Sequence, residues 1–360
     1  MASPVDSFES PPPTDQYHAI RRGSRNRADP PCRIEPVPYT AQTGSRPRAI
    51  PDPTLLTAPR TCRVGKIGQP HSISHSAGPS LGQWPNRALA MQVFGHHYVP
   101  MSERPEGLRL GFEDDFDAPA LDRAVWLPHY LPAWSSRAAT AATYEIRGSC
   151  LHLAIPPDQG LWCADDHDPP LRVSGIQSGN FSGPVGSTVG QQPYRDGVTV
   201  REEQETFWGW TPDPGYVELR ARGVISPRSM VAFWMVGLED RPERSAEICV
   251  AEIFGNAVRP GESTAVGMGL HRFRDPAVTE DFDAVRLPID VAEFHTYAVD
   301  WTLDRADFLV DGELVRSCPL PPAYQMQMML AVFDFPEEST GDDSDAVPSL
   351  VVDYLRGYQH

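Results

Sequence analysis

The residues best suited to chemistry lie in one short run, Ser245-Ala246-Glu247-Ile248-Cys249-Val250-Ala251-Glu252-Ile253-Phe254-Gly255. Read as a strand, it places Glu247 and Cys249 on one face and Ile248 and Val250 on the other. Strict alternation would turn Glu252 toward the apolar side. A β-bulge at Val250-Ala251 adds one residue, returns Glu252 to the face of Glu247 and leaves Ile253 pointing into a core. Two carboxylates on one face suit the cleavage of a glycosidic bond. One attacks the anomeric carbon or stabilises the oxocarbenium-like transition state, and the other protonates the leaving oxygen and then activates water. In retaining enzymes the carboxyls stand about 5–5.5 Å apart. Such proximity pushes their pKa values apart, so that one is ionised and one protonated near neutral pH. Taken alone, E-x-x-x-x-E equally describes a surface strand with two incidental glutamates, and the neighbouring elements must decide.

Those elements read as strands. From Leu108 onward short alternating apolar runs are separated by Gly, Pro and Asp clusters. Tyr216–Arg222, Thr296–Trp301 and Asp307–Asp311 alternate with period two, as half-buried strands do. Asp311-Gly312, between Phe308-Leu309-Val310 and Glu313-Leu314-Val315, predicts a two-residue hairpin turn. No long stretch carries a helical period with caps. Many short strands over about 250 residues predict one antiparallel sandwich rather than alternating β and α units. Residues 1–105 differ in texture: they hold 17 of the 38 prolines, with breaks such as Pro11-Pro12-Pro13 and Pro30-Pro31, and read as a disordered extension ahead of one domain over 106–360.

In order and spacing these runs resemble family 16 of the glycoside hydrolases, the laminarinase, lichenase and agarase group, over about 111–359. Phe112–Asp117 with Leu121-Asp122 and Trp126 is similar to the family's opening strand. Gly215–Arg222 resembles its G-x-x-E-x-R strand, and Ala232-Phe233-Trp234-Met235 the strand whose Trp lines the cleft. Phe294–Trp301 and Val310-Asp311-Gly312 resemble its F-H-x-Y-x-x-x-W and D-G hairpin, and Val352–Arg356 its closing strand. The carboxylate run resembles the family's E-I-D-x-x-E signature with a bulge. The resemblance implies an all-β fold, a concanavalin A-like jelly roll of two antiparallel sheets. It implies a retaining endo-glycanase acting on a β-linked polysaccharide, β-1,3- or mixed-linkage glucan first and galactan next, with Glu247 as nucleophile and Glu252 as general acid/base. No cofactor takes part in that chemistry; a structural Ca2+ on the convex face, near Asp115 and Asp353, belongs to some relatives.

One position departs from the pattern: the central Asp, which in the family hydrogen-bonds the nucleophile, is Cys249 here. A thiol is a weak donor, neutral at pH 7 with an ordinary pKa of about 8.5. Losing the Asp charge should weaken the orientation of Glu247 and lower the pKa of Glu252, reducing activity or moving its optimum to acid pH. Cys249 reads equally as a small buried inert residue. Trp234, thirteen residues before Glu247, is read as a platform for a sugar ring or as a core residue. Trp208 and Trp210 alternate and so should share one face, as subsite platforms or a packed strand end. His271 is read as a cleft residue near the acid/base or as a satisfied core histidine. His295 and Trp301 read as structural, and Glu218 and Arg220 as an ion pair at the cleft floor or within the sheet. His96-His97 and Asp165-Asp166-His167-Asp168 read as solvated loops rather than metal ligands.

The whole chain bounds the partners. It carries 31 basic and 48 acidic residues, a formal net charge of −17. Such a charge opposes nucleic acid and anionic membrane surfaces but not a neutral polysaccharide. None of the six cysteines forms a C-x-x-C pair, so zinc-ligand spacing is absent, while Cys150 and Cys163 are spaced to bridge neighbouring strands. No apolar run of about 18 residues or basic-apolar leader is seen, so the sequence by itself reads as cytoplasmic although the family is usually secreted; a monomer is expected. Two rivals share the scaffold: a transglycosylase, and a non-catalytic carbohydrate-binding protein. Retention of both Glu247 and Glu252 speaks against the second.

Overall fold

The computed structural model describes residues 107–343 and 345–359. The expected extension over 1–105, with His96-His97, Cys32 and Cys62, lies outside the described residues. In chain order the strands are β1 (Arg109–Asp114), β2 (Tyr144–Ile146), β3 (Leu151–Ala154), β4 (Arg172–Gln177), β5 (Gly179–Asn180), β6 (Phe207–Trp208), β7 (Gly215–Val224), β8 (Ser229–Gly237) and β9 (Glu247–Phe254). There follow β10 (Val258–Arg259), β11 (Ser263–His271), β12 (Asp281–Leu287), β13 (His295–Trp301), β14 (Arg305–Val310), β15 (Glu313–Pro319), β16 (Met326–Asp334) and β17 (Ser349–Gln359). The helical elements among the described residues are single 3-10 turns such as Pro132–Trp134.

Two antiparallel sheets face each other as a jelly roll. One runs β15-β14-β13-β7-β17-β3-β2, with β1 also on β17; the other runs β10-β11-β9-β8-β16-β4, with β12 also on β11. The period-two pattern explains the stacking. On β8, Val231, Phe233 and Met235 enter the core between the sheets, and on β16 Met328, Leu330 and Val332 do. They meet Leu219, Val299, Trp301, Phe308 and Leu355 of the opposite sheet. Each such full burial contributes about 1.5–3 kcal/mol. The Asp311-Gly312 turn forms as the sequence predicts: both residues have positive φ, 51° and 81°, and Val310 pairs with Glu313 across it.

The outer face of the seven-stranded sheet is not bare. Met230, Ala232, Trp234 and Val236 of β8 and Met329, Ala331 and Phe333 of β16 form a second apolar cluster there. Tyr130, Leu131 and Trp134 from the β1–β2 connection, Trp162 from the β3–β4 connection, and Val198 and Val200 from the β5–β6 connection pack on it. These connections wall one side of the face that carries the carboxylates. Glu218 and Arg220 lie on β7, in the sheet opposite the carboxylate strand, so neither stands at a cleft floor. Glu218 accepts a hydrogen bond from Tyr216 Oη at 3.3 Å, and Arg220 pairs with Asp353.

Candidate active site

The carboxylate strand β9 is bulged where alternation requires it. Against β8, Glu252 pairs with Ala232 and Ala251 with Phe233, but Cys249 pairs with Trp234, leaving Val250 unopposed. Against β11, Glu252 faces Gly267 and Cys249 faces Gly269, so Val250 and Ala251 together oppose Met268. Both bulge residues enter the core with Ile248 and Ile253. Glu247, Cys249, Glu252 and Phe254 are therefore left on the outer face. There they line a pocket of about 430 Å³ with Trp234, Met230, Ala232, Phe333, Tyr130 and Gln192.

Electrostatics follow from that apolar wall. Glu247 is buried and Glu252 only partly exposed. Burial pushes the Glu247 carboxyl up to about 7, against the pull of His271, and the charge of Glu252 adds to the rise. Burial likewise pushes Glu252 up to about 7, with His271 opposing. His271, directly opposite Glu247 on β11, is held 2.6 Å from Glu280 Oε1 through Nδ1 and stacks on Phe282 with centroids 4.5 Å apart. Burial works against its charge, but the Glu280 hydrogen bond and the nearby carboxylates raise its pKa to about 9. Near neutral pH the site thus holds an imidazolium beside two coupled carboxyls that share about one proton. Glu247 accepts a hydrogen bond from Gln192 Nε2 at 2.9 Å, which favours its ionised form. No side chain among the described residues donates to Glu252. One carboxylate ready to attack beside one carboxylic acid ready to protonate is what double displacement requires.

Residues 214–339 match the family model for glycosyl hydrolases family 16. The chain is similar to the GlcNAcα1-4Gal-releasing endo-β-galactosidase of Clostridium perfringens, with 26% identity and a TM-score of 0.62. The match covers 71% of this chain and 64% of that one, which is less than two thirds of the relative's length. SCLam, a non-specific endo-β-1,3(4)-glucanase, shares the fold at 18% identity and a TM-score of 0.50, covering 71% of this chain and 92% of its own. No curated protein sequence matches the chain.

The site gathers several residues expected from sequence. Trp234 lies beside Cys249 on β8, 5% exposed, lining the pocket with Nε1 3.4 Å from Gln192 Oε1. Cys249 is fully buried, its Sγ 3.9 Å from Gly267 O; burial, then the two carboxylates, raise its pKa well above the ordinary thiol value. Trp208 is 42% exposed on β6. It pairs with Gly179, which packs over Gln327, and Gln327 pairs with Val236, the partner of Glu247. Trp208 therefore lies on the separate β5-β6 ribbon beside β16 and does not line the pocket.

Trp210 goes elsewhere. The strand covers only Phe207–Trp208; Gly209 N–H donates to Ser178 O at 2.9 Å, and a side chain there would run into the carbonyls of Val125 and Ser178. Trp210 then stacks on Phe112 of β1, centroids 4.3 Å apart, and over Gly357 of β17 in the opposite sheet. Trp208 and Trp210 do not share a face. The Cys150–Cys163 bridge does not form, since both thiols are free. Asp166 is engaged by Arg195 at 2.6 Å and Tyr194 Oη at 2.7 Å, and no metal-holding group of His, Cys, Asp or Glu occurs among the described residues. His295 is hydrogen-bonded to Asp311 at 2.6 Å, and Trp301 is fully buried with Nε1 2.8 Å from Pro322 O. Sequence reading missed Gln192, Glu280 and Tyr130. Each comes from a connection without periodicity, and only contact in space marks it.

Proposed function

We propose that the chain is a retaining endo-glycanase that hydrolyses internal β-glycosidic bonds of a polysaccharide. The observation that carries this is the bulge at Val250-Ala251, which turns buried Glu247 and partly exposed Glu252 onto one face of β9 at the wall of a pocket. Ionised Glu247 attacks the anomeric carbon while protonated Glu252 gives its proton to the leaving oxygen. Glu252, now a carboxylate, takes a proton from water, and that water displaces Glu247 from the anomeric carbon. The carboxyl pair carries both steps. Trp234 offers its indole to the bound ring and exposed Trp208 a stacking face at a more distant subsite. Protonated His271 balances the charge that remains when both carboxyls are ionised.

The substrate class is a β-1,3- or mixed-linkage glucan, with β-galactan next. The name of the Clostridium perfringens relative supports including the second. A panel of these polysaccharides assayed with wild type and Glu247→Gln tests the reading. Reducing ends should appear with one class and fall by more than about a thousandfold in the variant. Equal activity of the two proteins would contradict the mechanism. The thiol of Cys249 favours a second reading, a carbohydrate-binding protein without turnover, and binding of a glycan that wild type never cleaves would support it.

A further inference from the structure

We infer that Gln192 is the positioning residue of the nucleophilic carboxylate, doing from a loop what the thiol at position 249 does not do from the strand. This deepens the hydrolase reading and takes the nucleophile from it. The Cys249 thiol is turned toward Gly267 O and gives Glu247 nothing. Gln192 Nε2 donates to Glu247 Oε2 at 2.9 Å. The amide cannot be reversed without loss, because the Trp234 indole is a donor only and its Nε1 faces Gln192 Oε1 at 3.4 Å. Satisfying Trp234 therefore aims the NH2 at Glu247.

The backbone is fixed as firmly. Gln192 has a left-handed φ of 43°, uncommon for a non-glycine residue. Its N–H donates to Glu239 Oε1 at 2.6 Å. Glu239 is itself buried and ion-paired with Arg274. A strut thus runs from Arg274 through Glu239 to the backbone of Gln192, and its side chain ends on Glu247. The other charged groups facing Glu247 are Glu252 on its own strand, His271 on β11 and Glu280 behind His271. Of all these, Gln192 is the neutral donor that favours the ionised carboxylate without adding charge.

The test is a carbon-13 titration of the Glu247 carboxyl in the full chain, assigned with Glu247→Gln, for wild type and Gln192→Met. Methionine keeps the length of the side chain and removes the donor. The Glu247 midpoint should rise by about one pH unit. On a cleaved substrate the acid limb of kcat/KM should move up equally, with kcat about 10- to 100-fold lower and KM within about threefold. A folded Gln192→Met chain with the wild-type midpoint would overturn the inference. Should that variant fail to fold, Trp234→Phe is titrated instead. It frees the amide to reverse, so a smaller upward shift supports the inference and none overturns it. If wild type cleaves no polysaccharide, the hydrolase reading falls while the titration still decides the role of Gln192.

Discussion

Two carboxyls that must be both reactive and buried set the behaviour of this site at the scale of single residues. The folded pKa of Glu247, about 7, stands above its ordinary value. Its burial is therefore tolerated at low pH, where it is neutral, and costs stability as pH rises through 7 and it ionises. The upper bound of that cost is roughly 3 kcal/mol. Glu247→Gln, neutral at every pH, should melt a few degrees above wild type at pH 8. The difference should shrink toward zero as pH falls to 5, below the folded pKa. A variant less stable than wild type at pH 8 would mean that Glu247 is held by favourable contacts rather than tolerated for function. Cys249 is the reverse case. Its thiol stays neutral whatever the carboxyls do, and the expected loss of orientation at Glu247 is met by Gln192, seated on a loop that no strand pattern could have exposed. Burial holds Glu252 near 7 without any Asp beside it.

At the scale of elements, the run Glu247–Phe254 was readable because alternation and chemistry conflict in it. Four apolar residues and two acids can satisfy one core only if the strand gains a residue, and both neighbouring strands show where it does. Deleting Val250 and Ala251 together should abolish the bulge and turn Glu252 into the core beside Ile248. The result should be an inactive protein with a thermal midpoint lowered by many degrees, since an unpaired buried carboxyl costs several kcal/mol. Wild-type activity in the deletion, measured with its melting curve, would show that the bulge does not set the geometry. The same period-two logic misled at Trp208 and Trp210. It assumes that a strand continues, and this one covers only Phe207–Trp208. The hairpin at Asp311-Gly312 was legible for the opposite reason: only a turn with two positive φ values explains that dipeptide between alternating runs.

Over the whole molecule, the sheets were legible from sequence because each strand carries its own periodicity, and the walls of the pocket were not. Tyr130 and Gln192 come from the connections between β1 and β2 and between β5 and β6, and they meet the sheet only after folding. Those connections decide which glycan fits, so substrate identity stays with experiment while the reaction can be argued from β9. The central claim is that Glu247 and Glu252 work as a double-displacement pair, and its stereochemistry is directly measurable. Proton NMR of the first product released from a β-linked polysaccharide, recorded before mutarotation, should show the β-anomer at the new reducing end. The α-anomer would contradict the account, because a single displacement by water would then have done the work assigned to Glu247.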